Sequence, residues 1–192
     1  MNTIQDVLFA MIQYDSGDPA RIQHFLKVHA FARIIGLAEG LDTAPLFILE
    51  AAAIIHDIGI QNALKTYGRC DGLLQEKLGP PEAEKLLRAC GLTEPAIQRA
   101  SWLCAHHHTY RPIEGLDHQI LIEADFLVNL FEENESKKAI LSVYNKIIRT
   151  KTGKELCKMI FDLAEEADSA NSIYRFAFFG ADSSCISSLR IS

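Results

Sequence analysis

The chain is 192 residues long, 48% hydrophobic and 23% charged, a balance that supports a single globular unit and excludes collagen, fibrous repeats and a disordered chain. Lys and Arg number 19 against 25 Asp and Glu, for a formal net charge of −6. A nucleic-acid polymer or an anionic membrane calls for the opposite excess, so neither is an expected partner.

In chain order, the first apolar stretch contains Asp6 and lacks a basic start, so residues 1–17 read as an N-terminal helical segment rather than a secretory signal. Asp18 followed by Pro19 marks a helix start, and Ile22, Phe25, Leu26, Val28, Phe31, Ile34 and Ile35 carry a helical pattern toward Gly40. Thr43 is expected to cap a second helix that ends at His56-Asp57-Ile58-Gly59, with Gly59 as its stop. Its apolar run, Ala44 to Ile55, is broken by Pro45 and Glu50 and falls short of the about 20 residues a bilayer requires.

Between Gln61 and Gly79 the glycines and charges predict a loop with at most one short helix. Pro80-Pro81 and Thr93-Pro95 each read as helix starts, the second reaching His106, His107 and His108; Asp117 is expected to cap a helix running to about Glu133. Amphipathic stretches from Ser136 to Arg149 and from Lys154 to Asp168 follow, and the Ser-rich residues 169–192 read as a loosely held tail. No segment alternates with a strand's two-residue period for more than a few residues. The expected fold is therefore all-α, a single-domain bundle of five to eight helices over residues 18–168. The 5 Cys form no Cys-x-x-Cys pair, which fits a reducing, cytoplasmic setting better than a disulfide framework or a zinc knuckle.

Four polar residues interrupt this apolar patterning. His56 and Asp57 follow the small and apolar residues 51–55, His24 lies between Ile22 and Phe25, and Asp125 lies within the run from Ile120 to Leu130. A buried, unpaired carboxylate costs several kcal/mol. Two imidazoles and two carboxylates converging from three helices would instead form a nitrogen and oxygen ligand set for one divalent cation, such as Mn, Mg, Fe, Co, Ni or Zn.

With these residues in place the chain resembles the HD-domain superfamily of metal-dependent phosphohydrolases. The segments that carry the resemblance are Ile22-Gln23-His24-Phe25-Leu26-Lys27-Val28, Ala53-Ile54-Ile55-His56-Asp57-Ile58-Gly59 and Ile122-Glu123-Ala124-Asp125-Phe126-Leu127, with His106-His107 or His107-His108 at the family's His-His pair. The likeness spans roughly residues 18 to 132. It implies a helical domain around a metal held by His24, His56, Asp57 and Asp125, and hydrolysis of a small phosphorylated compound, a nucleotide among the options, by metal-bound hydroxide.

Under that resemblance Asp57, His106 and His107 are the catalytic candidates, with one or two of the triplet steadying or protonating the reacting oxygens. Consecutive helical residues point about 100° apart, so at most two of the triplet can face one site. Arg111 is the first candidate phosphate clamp and Lys27 and Lys65 are weaker ones, while Asn129, one turn past Asp125, would orient it or touch substrate. Two departures accompany the likeness. Ile60 stands where many members carry Lys or a carboxylate, which favours as the alternative a regulatory or ligand-binding module that keeps the metal cage. Gln75 stands near a His of two-metal members, which favours one ion.

Overall fold

A computed structural model describes residues 3–163. Their regular structure is helical throughout: α1 (Ile4–Tyr14), α2 (Pro19–Ala38), α3 (Thr43–Ile55), α4 (Ile60–Tyr67), α5 (Gly72–Ala89), α6 (Glu94–Cys104), α7 (Leu116–Glu132), α8 (Lys137–Lys146) and α9 (Lys151–Ile160). The all-α expectation holds: α1 is the N-terminal helical segment, and α2 to α9 are eight helices among the described residues of the bundle, the upper bound expected. The expected tail at 169–192 lies outside the described residues.

α3 is the centre of the bundle. Leu49 and Ala51 to Ile55 are fully buried, and α1, α2, α6 and α7 pack around them. Thr43 to Tyr67 is long and apolar enough to cross a membrane by length and composition alone, but most of it is enclosed by the bundle. α2 presents His24, Phe25, Val28, Ala32, Ile35 and Gly36 inward, the three-and-four spacing of one helical face. His24 thus occupies a core position on a stripe that is otherwise apolar or small. α1 joins the same core through Val7 and Met11.

Several boundaries differ from the sequence reading. Residues 61–79 are mostly helical: α4 begins at Ile60, and α5 starts behind Asp71, whose carboxylate accepts the Leu74 N–H at 3.2 Å. Pro80 and Pro81 lie inside α5. Proline removes a helical N–H and crowds the carbonyl one turn back, so the pair reads as a helix start; here the packing of α5 against α4 and α6 outweighs that local preference. Asp42, not Thr43, occupies the position before α3. Gly115 takes the corresponding place before α7, and Asp117 in its first turn accepts the His118 N–H and holds Arg99 at 2.7 and 2.8 Å. α9 starts earlier than expected because the Thr150 hydroxyl accepts the Gly153 N–H at 2.9 Å.

Gly59 is required for a reason other than the one the sequence suggested. Its φ of −71° is ordinary helical backbone, so it does not end α3 by a left-handed turn. A Cβ there would lie 2.7 Å from the Gln75 carbonyl and 2.8 Å from the Gly79 nitrogen. The glycine lets α5 press its backbone against the turn that carries His56 and Asp57.

Candidate metal centre

Three helix segments bring four ligand-type side chains to one point. α2 supplies His24, the end of α3 and its following turn supply His56 and Asp57, and α7 supplies Asp125. His24 Nε2 lies 3.2 Å from His56 Nε2, 3.5 Å from Asp57 Oδ2 and 3.3 Å from Asp125 Oδ1. His56 Nε2 lies 3.5 Å from each of the same two carboxylate oxygens. Donor atoms about 2.1 Å from a shared ion lie about 3.0 to 3.4 Å apart for right-angle to tetrahedral arrangements, close to the spacings found.

The far sides of the rings fix what the near sides offer. His56 Nδ1 is 2.9 Å from the Ala53 carbonyl, an acceptor, so that nitrogen carries the proton. His24 Nδ1 is 2.8 Å from a Glu132 carboxylate oxygen and is protonated for the same reason. Neutral imidazoles so held turn lone pairs from Nε2 toward each other and toward two carboxylates. A cation, either a proton or a metal ion, is what reconciles these groups.

The electrostatics point the same way. Burial works against charge on His24, but hydrogen bonding to Asp125 and the charges of Asp57, Asp125 and Glu132 outweigh it and raise the imidazole to about 9. His56 is also raised, its burial outweighed by the same two aspartates. Burial pushes Asp57 up, yet His56 and His107 bring it down to about 2. Asp125 is likewise held below the usual carboxylate range, with His24 and His56 overcoming its burial. The site favours positive charge at its centre, and its donor set suits a borderline or hard divalent ion.

The residues around these ligands hold them in place. Asn129 donates to Asp125 Oδ1 at 2.9 Å. Lys27 bonds Glu132, so it backs the carboxylate behind His24. Tyr14 donates to the Ile58 carbonyl at 3.2 Å, and Gln61 donates to the Tyr14 carbonyl and to buried Asp15, each at 2.8 Å. These bonds brace the turn after the ligand pair. Glu132, Tyr14, Asp15 and Gln61 escaped the sequence reading. For Glu132 a signal existed, because it stands seven residues past Asp125, two turns along one face.

The His triplet divides. His107 is buried, its Nδ1 donates to the Cys104 carbonyl at 2.8 Å, and its Nε2 has no hydrogen-bond partner while lying 3.4 Å from Asp57 Oδ1. His108 also approaches the site, since its ligand atom lies within 4.8 Å of those of His107 and Asp57. Its Nε2 is engaged by the Gln75 side-chain carbonyl at 3.0 Å. Burial and the neighbouring His107 push His108 down to about 4. The expectation for His106 is corrected: its ring stacks on Trp102 at 4.1 Å and its Nδ1 donates to the Trp102 carbonyl. Arg99 covers Trp102, with its guanidinium carbon 4.5 Å from the ring. His106 lies two residues past the end of α6, in the turn that also carries His107.

A cavity of about 600 Å³ adjoins the cluster at His108 and is lined also by Arg69, Leu73, Glu76, Thr109 and Tyr110. Arg111 lines a different, smaller pocket. Lys65 lies on α4 in the exposed part of its last turn. Ile60 begins α4 and places no charged group beside the ligand turn.

No protein-family model matches the sequence, and no curated protein matches it significantly. Two solved structures do share its architecture. A predicted HD superfamily hydrolase from an uncultured Thermotogales bacterium superposes with a TM-score of 0.59 at 24% identity, covering 82% of this chain and 84% of its own. Bacillus subtilis YpgQ superposes with a TM-score of 0.55 at 17% identity, covering 83% of this chain and 89% of its own.

Proposed function

From a chain that has the HD-type helical fold, we propose a metal-dependent phosphohydrolase that acts on a small phosphorylated compound through one divalent ion held by His24, His56, Asp57 and Asp125. The observation that carries this reading is the convergence of two Nε2 lone pairs and two carboxylates at 3.2 to 3.5 Å, with the far nitrogen of each ring already committed. The similarity to a predicted HD superfamily hydrolase supports it.

A divalent ion held by this set would supply Lewis-acid polarisation of a phosphoryl oxygen and would lower the pKa of bound water toward about 7. The protein's own groups do the rest. Asn129 and Glu132 hold Asp125 and His24 in ligand orientation. His107 offers a buried, unpartnered Nε2 beside Asp57, placed to accept or return a proton. The cavity at His108 provides room for the substrate next to the ligands.

The test combines metal analysis of protein purified without chelator with a screen of phosphate esters and nucleotides in Mn, Mg, Co or Ni. One ion per chain and turnover that His56→Ala and Asp125→Ala both abolish would support the reading. Variants that keep both metal and turnover would overturn it. Metal-loaded protein that is stabilised by a phosphate ester and hydrolyses none would favour a ligand-binding module, the reading to which the uncharged Ile60 belongs.

A further inference from the structure

Three cations surround a second, smaller pocket where the loop after the His triplet meets the turn between α8 and α9. Arg111 comes from the loop, Lys146 from the end of α8 and Arg149 from the turn, while Tyr110, Gln119 and Ile122 help close a cavity of about 80 Å³. A single water needs about 10–15 Å³, so the space admits a small tetrahedral anion. All three cations are exposed, and none of them forms an ion pair among the described residues; the Arg149 guanidinium bonds only the Lys146 carbonyl, at 2.8 Å.

The carboxylate of Glu123 lies beneath this turn but serves its backbone. It accepts from Gln119 Nε2 at 2.8 Å, from the Arg149 N–H at 2.6 Å and from the Thr150 N–H at 2.8 Å, and it bonds the Thr150 hydroxyl. Glu123 therefore fixes the platform without pairing with a guanidinium. On a chain of net charge −6, three unpaired cations around one concavity with no acid in its lining form an arrangement for an anion.

We propose that this pocket binds a phosphoryl group, with Arg111 and Arg149 donating to its oxygens and Lys146 supplying a point charge. Ile122 and Gln119 precede Asp125 on α7 by three and six residues, about 5 and 9 Å along the axis at about 1.5 Å per residue. Tyr110 lines both this pocket and the cavity beside the metal ligands. The phosphoryl group is therefore either a remote phosphate of a substrate reacting at the cluster or a free phosphate ion.

The binding experiment is independent of the metal reading. Chelator-treated wild type is titrated with inorganic phosphate and with tripolyphosphate by calorimetry at low salt, beside Arg111→Gln/Lys146→Gln and Lys146→Glu. Both variants change exposed side chains, so the fold should survive. The expected result is saturable wild-type binding that weakens with salt and falls at least tenfold in the double variant. No wild-type binding at millimolar anion, or equal binding by wild type and both variants, would overturn the site. In the metal-loaded enzyme, a tenfold rise of KM confined to di- and triphosphate esters identifies the substrate's own phosphate. Unchanged KM values, with loss of an effect of added inorganic phosphate on rate, identify the free ion.

Discussion

His24 and His56 face each other Nε2 to Nε2 at 3.2 Å, and each has its Nδ1 turned to an oxygen that can only accept. The facing Nε2 lone pairs need a proton or a metal ion between them, and Asp57 and Asp125 add negative charge at 3.3 to 3.5 Å that only a divalent ion balances in full. Metal binding should therefore be coupled to stability. Chelation is expected to lower Tm by several degrees at pH 8, and Mn or another divalent ion should restore it, with saturating ion adding about 3 to 4 kcal/mol when present at 100 to 1,000 times Kd. Thermal unfolding with and without chelator checks this; identical curves would remove the metal from the account.

Glu132 should control ion affinity through His24 without being a ligand. Its carboxylate accepts from His24 Nδ1 at 2.8 Å and is itself bonded by Lys27. Outer partners of ligating imidazoles typically contribute 10- to 100-fold in metal affinity. Glu132→Ala is expected to weaken binding by about that factor, and Lys27→Met by less, both with α-helical content unchanged. Glu132→Gln, which can still accept the imidazole N–H, should recover part of the loss. Equilibrium metal titration of the three variants measures this ordering, and equal affinity in all three would contradict it.

The metal-free protein should lose stability as pH rises through the His24 titration. In the folded state His24 is raised to about 9 from an unfolded value of about 6.5. A group raised on folding stabilises fully below its unfolded value and loses that contribution as pH passes its folded one. The window is therefore pH 6.5 to about 9, the contribution is on the order of a few kcal/mol, and His56 shifts in the same direction. The ion competes with these protons, so its affinity should rise across the same interval. Urea denaturation of chelated protein at pH 6.5 and 9.5 gives the comparison; equal stability would show that the two rings hold no extra proton.

The cluster of candidate ligands was legible because polar residues on apolar helical faces stand out from the periodicity: His24 on the buried stripe of α2, Asp125 inside α7, and His56-Asp57 at the end of a buried helix. What supports those ligands was less legible. Tyr14 and Gln61 act on the turn after Asp57 from 44 and 47 residues apart in their pairings, and no local pattern encodes such a bond. Gly59 looked like a helix stop because glycine often is one, whereas its function depends on the approach of α5. Pro80 and Pro81 misplaced the start of α5 because tertiary packing overrode a local propensity.

His106 and His107 are adjacent in sequence and should respond oppositely to substitution. His107 Nε2 is buried, unpartnered and 3.4 Å from Asp57 Oδ1, whereas His106 lies against Trp102 and accepts His118 at its carbonyl. If His107 manages a proton in the reaction, His107→Ala should lower kcat by about 10²-fold or more while ion binding changes modestly. His106→Ala keeps the backbone carbonyl and loses the stacked ring with its hydrogen bond to the Trp102 carbonyl, a cost of about 1 to 2 kcal/mol in stability, with kcat within a factor of about two because nothing at the ligands moves. Steady-state kinetics on metal-saturated protein, paired with unfolding midpoints, separates the two positions. A large kcat loss in His106→Ala with His107→Ala unaffected would reverse the assignment and place the reacting groups on the Trp102 side of the loop.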